Sequence, residues 1–159
     1  MKDAVNGKPV LRLPRLVARV DRAMATAAIV QAAFVLADFL LLGLLVRGVP
    51  LVEELVLVVV GILGPTIGVT RHFRAATRGG SGLVMASTAG SLILGLVYHF
   101  VLDGPGSLRF VLRSGATVVG RMFELSVTLH VMGAAVASLL AVFAFRRRTS
   151  VLAIGRSLV

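Results

Sequence analysis

Four runs of about twenty apolar residues, approximately Ala23–Val46, Leu51–Val69, Leu83–Leu102 and Phe123–Phe145, limit what this chain can fold into. A helix rises 1.5 Å per residue, so about 20 residues cross a hydrocarbon core of about 30 Å. Inside such a core each backbone N–H and C=O needs a partner within the protein, and a helix supplies those partners from its own run. The expectation is an all-α integral membrane protein: four transmembrane helices in an antiparallel up-and-down bundle, one membrane domain over residues 1–159. A mean hydropathy of +0.96 agrees with lipid as the main solvent.

The second run is the weakest, because Glu53 and Glu54 leave only Leu55–Val69 free of charge. Pro50 ahead of it suits a helix start, and carboxylates in a first turn are favoured by the helix dipole. The first run is longer than the 7–15-residue core of a cleavable signal, so it is expected to be retained.

Orientation follows from arginine and lysine in the flanks. Thirteen of the seventeen fall in the N-terminal segment, the 71–78 loop and the tail; Arg47, Arg109, Arg113 and Arg121 fall on the other side. This places both termini in the cytoplasm, with the cell membrane as the expected location. The same basic excess, +10 net, points to anionic lipid headgroups at the inner face and not to nucleic acid. Two flanks read as amphipathic helices lying along the interface, at about 10–22 and about 107–120. In the first, Arg12, Arg15, Arg19 and Arg22 oppose Leu13, Leu16, Val17 and Val20; in the second, Leu108, Val111, Leu112, Val118 and Val119 oppose Arg109 and Arg113.

Lipid tails are as apolar as leucine, so helices in a bilayer associate where small residues let them approach. Such stripes run along three of the spans. They comprise Gly61, Gly64 and Gly68 in the second, with Pro65 predicting a kink; Gly82, Ala86 and Gly90 in the third, with Ser87, Ser91, Gly95 and His99 beside them; and Ser126, His130, Gly133, Ala137 and Ala141 in the fourth. Their plain role is packing within the bundle, and surplus small surface on the third leaves room for other membrane subunits or self-association.

An ionisable residue at the centre of a span costs about 2.5–3.5 kcal/mol on insertion scales, so each needs a partner or a purpose. Asp38 lies roughly 12 Å below the outer end of the first span and His130 roughly 10 Å into the fourth. Neighbouring helices would let them pair. Gln31 shares the Asp38 face, seven residues earlier. Glu53, Glu54, Tyr98, His99 and Glu124 gather nearer the outer surface, so that with the pair they form an acidic, histidine-containing funnel opening outward. The plainest purpose of the pair is to fix the register of two helices.

The absence of cysteine removes disulfides, iron–sulfur clusters and thiolate zinc sites. No phosphate-cradling glycine loop or zinc-protease helix occurs, and Ser126 one turn before His130 reads as part of the packing stripe and not as a nucleophile and its base. The expectation is therefore a non-catalytic subunit or accessory of a larger membrane assembly, without a cofactor. The alternatives are a proton- or cation-handling transporter or channel built on Asp38 and His130, and a subunit holding haem or a metal at His99 and His130. His72, in the arginine-rich loop beside Phe73, is expected to face headgroups.

Overall fold

The computed structural model describes residues 12–45, 55–75, 78–104, 106–113 and 117–156. All their regular structure is helical. Helix α1 is Arg12–Leu45; α2 runs through a π-helical segment, Val58–Leu63, into Gly64–Ala75; α3 is Arg78–Leu96 and closes in a second π-helical segment, Val97–Val101; α4 is the short Leu108–Arg113; and α5 is Val118–Arg156. Four of them are long and apolar enough to cross a membrane, over Val17–Leu45, Leu55–Arg74, Gly79–Val101 and Val118–Arg147. Residues 46–54 lie outside the described part, and with them the expected start of the second span.

Two expected boundaries change. The amphipathic N-terminal segment is no separate surface helix: α1 continues from Arg12 to Leu45 without a break, about 51 Å at 1.5 Å per residue. Pro14 sits in its first turn, where a missing N–H costs nothing, and no proline or glycine occurs from Arg15 to Leu42. Of the expected interfacial helix at 107–120, Leu108–Arg113 is a helix whose first turn is capped by Ser107, its Oγ accepting from Phe110 N–H at 3.1 Å, residues 114–116 lie outside the described part, and Val118 onward belongs to α5. Thr117 then caps α5 in the same way, accepting from Gly120 N–H at 3.1 Å.

Small residues set the helix spacing. A Cβ on Gly61 would meet Val35 and Ser91, one on Gly64 would meet Ser87, and one on Gly68 would meet Val84. The partners on α3 fall from 91 to 84 as those on α2 rise, so the two helices run antiparallel and nearly in backbone contact. At the turn, a Cβ on Gly80 would lie 2.3 Å from the His72 nitrogen, so only glycine lets α3 start on top of the end of α2. Helix α5 packs between α1 and α3, with Gly133 against Gln31 and Ala137 fully buried. Gly82 faces Phe145, Gly90 faces Val60, and Ala86 is exposed, so the stripe expected to hold all three turns one member outward.

The interior is layered along the bundle axis. Met24, Ala28, Val84, Ala137, Ala141 and Ala144 form an apolar cluster at one end. Leu42, Val111, Phe123 and Val127 form another at the other end. Between them lies a layer of polar side chains.

Candidate functional site

The polar layer draws on every long helix. Gln31 and Asp38 are seven residues apart, two turns of α1, and therefore share its inner face. Ser91 and His99 come from α3 and His130 from α5. All five are buried: Gln31 and His130 fully, Ser91 to 1%, His99 to 2% and Asp38 to 5% exposure. Helix α2 contributes a backbone group. Pro65 has no N–H to offer the carbonyl of Gly61 four residues before it, and that is the carbonyl which Gln31 Nε2 reaches at 3.4 Å.

From Gln31 the bonds run in one direction. Its amide donates to Ser91 Oγ at 2.9 Å. The Ser91 hydroxyl lies 2.9 Å from His130 Nε2, and His130 Nδ1 lies 2.8 Å from Asp38 Oδ2. A carboxylate only accepts, so the neutral imidazole carries its proton on Nδ1 and Nε2 accepts from serine. Asp38 and His130, matched in depth by counting residues, are thus hydrogen-bonded neighbours.

His99 enters from the π-helical end of α3. One extra residue per turn re-aims the side chains there, and such segments recur where a helix must present a particular group. The turn that follows, closed by Ser107 N–H to the Gly104 carbonyl at 2.9 Å, brings the Gly106 carbonyl back over the helix end. His99 Nδ1 donates to that carbonyl at 2.8 Å. This bond fixes the tautomer and leaves Nε2 as a bare lone pair. The ring stands edge-on to His130, centroids 6.3 Å apart, and to Phe123 at 5.6 Å. His99 Nε2 and Asp38 Oδ1 are both buried without a hydrogen-bond partner. One ligand atom each from Asp38, His99 and His130 lie within 4.8 Å of one another.

No protein-family model, curated protein or solved structure matches the chain. What the site does is therefore read from its geometry.

The other residues of the expected funnel fare differently. Glu53 and Glu54 lie outside the described residues. Glu124 turns along its own helix to Arg121 at 2.8 Å. Tyr98 packs edge-on against His99, centroids 6.3 Å apart, with its hydroxyl buried and without a hydrogen-bond partner. Ser126 reaches the Phe34 carbonyl at 3.4 Å, a packing contact between α1 and α5. A cavity of about 510 Å³ adjoins His99, lined also by Phe100, Leu108, Arg109, Leu112 and Arg113. Of the polar layer, only His99 lines it.

His72 departs from its expected place. It is 1% exposed and lies 3.2 Å from Asp21, tying α2 to α1 at the end remote from His99. Sequence reasoning missed this contact; the only signal was an aspartate, Asp21, set among arginines.

Chemically, the layer offers one carboxylate, two imidazoles with fixed tautomers and a serine able both to donate and to accept. A carboxylate oxygen and an imidazole lone pair, Asp38 Oδ1 and His99 Nε2, left unpartnered in a dry interior attract a cation.

Proposed function

We propose that the chain is a small multi-pass membrane protein that handles a cation, as a transporter or channel, at a station buried between its helices. Asp38 is the anionic centre, His130 and His99 are its nitrogen-bearing flanks, and the cavity beside His99 is the approach. The observation that carries this reading is the pair of unpartnered buried atoms, Asp38 Oδ1 and His99 Nε2, in one cluster. A buried polar group left unpaired costs about 1–3 kcal/mol. In a bilayer such groups mark ion and proton paths.

In this proposal the four long helices cross the cell membrane and both termini are cytoplasmic, the side that holds most of the arginines. The bundle exterior supports the crossing: Leu44, Ile93, Leu125 and Phe143 are among many large apolar side chains turned outward. The reading as an accessory subunit rests on missing catalytic motifs, surplus small-residue surface and amphipathic flanks, and it gives the Asp38–His130 pair only the task of fixing helix register, with no use for the unpartnered atoms beside it. Haem is disfavoured by the donors, since the Nε2 of His130 is held by Ser91.

The test is flux into liposomes containing the purified protein, followed with one dye for protons and another for zinc. A cation gradient should drive uptake, and Asp38→Asn should abolish it. Flux that is unchanged in Asp38→Asn removes the station from the mechanism.

A further inference from the structure

Resting on the cation-handling reading, we propose that Asp38, His99 and His130 form a binding site for a divalent transition-metal ion of the zinc class. Donor type decides the class. Calcium, magnesium and the alkali cations are held by oxygen, whereas two imidazole nitrogens and one carboxylate oxygen suit zinc and its neighbours. The chain has no thiolate to draw softer ions.

Orientation makes two of the three ready. A ligating histidine usually donates its other ring N–H to a carbonyl or carboxylate, which fixes the ring and raises the basicity of the free nitrogen. His99 does this with the Gly106 carbonyl at 2.8 Å, and its Nε2 is buried and free. Asp38 keeps one oxygen on His130 and leaves Oδ1 buried and free. His130 becomes the third ligand when the ion enters between it and Asp38, in place of the bridging proton. That proton moves to Nε2, where Ser91 changes from donor to acceptor; a hydroxyl oxygen has two lone pairs and can accept from both Gln31 and His130, while its own O–H turns to a carbonyl of the preceding helical turn. The proton stays on the imidazole, so the exchange is balanced.

The distances require a small contraction. Ligand atoms 2.0–2.1 Å from one tetrahedral ion are about 3.3 Å apart, against the 4.8 Å within which the three lie. In the proposal, rotation of the Asp38 and His99 side chains closes this difference. Three protein ligands leave a fourth position open, the mark of a site that exchanges its ion or its water and not of a structural one.

The experiment uses the full chain in detergent, stripped with a chelator. Zinc is titrated by calorimetry and cobalt by visible absorption, whose intensity reports four-coordinate geometry. The expected result is one ion per chain, with affinity reduced at least tenfold in Asp38→Asn and in His99→Gln and retained in Glu124→Gln, whose carboxylate faces Arg121. Circular dichroism and size exclusion select variants that still fold. No uptake by the wild type, or uptake unchanged in both site variants, overturns the proposal. Zinc binding without flux in liposomes would keep this site and sink the transport reading; flux of protons without zinc binding would do the reverse.

Discussion

At the scale of residues, the Asp38–His130 pair couples two costs. Truncating His130 leaves the Asp38 carboxylate buried without its hydrogen-bond donor, and an uncompensated buried charge costs about 3–5 kcal/mol. His130→Ala should therefore destabilise by about that amount, while in an Asp38→Asn background the same truncation strands only a neutral amide, costing about 1–3 kcal/mol. Reversible unfolding of the single and double variants in mixed detergent measures the coupling, and strictly additive costs would mean that the two side chains do not depend on each other. This pair was legible in the sequence because ionisable residues stand out in apolar runs and depth follows from counting. The rest of the layer was less so. Gln31 and Ser91 were visible as a polar and a small residue, but either can turn to several partners, and only the folded helices choose. His99, expected nearer the outer surface than His130, is joined to the pair by the π-helical end of α3 and the returning Gly106 carbonyl, neither of which residue spacing announces. His72 was misplaced because its burial depends on Gly80, whose missing side chain lets the turn close over it.

At the scale of elements, the number and kind of long helices were readable from apolar length alone, while their ends were not. Helix α1 starts at Arg12 because helix propensity carries through a basic segment as readily as an apolar one, and α5 likewise runs past its arginines to Arg156. The orientation proposed for these elements can be read chemically, since the natural chain has no cysteine to interfere. Thr117, at the start of α5, and Arg74, near the end of α2, are both exposed and lie at opposite ends of the bundle. A membrane-impermeant maleimide should label Thr117→Cys on intact cells and Arg74→Cys only after lysis. The opposite pattern would invert the topology and set the His99 cavity on the cytoplasmic side.

For the molecule as a whole, two apolar clusters close the ends of the bundle and one polar layer, drawn from all four long helices, lies between them. Packing alone would be served as well by leucine and alanine in that layer, without the desolvation cost that a buried carboxylate carries. The arrangement makes sense if the layer meets a cation, and the most direct measurement is X-ray absorption at the zinc edge on the zinc-loaded protein. The account predicts a first shell of nitrogen and oxygen at about 2.0–2.1 Å, with outer scattering from two imidazoles that falls to one in His99→Gln. A shell without imidazole, or one that His99→Gln leaves unchanged, would contradict it.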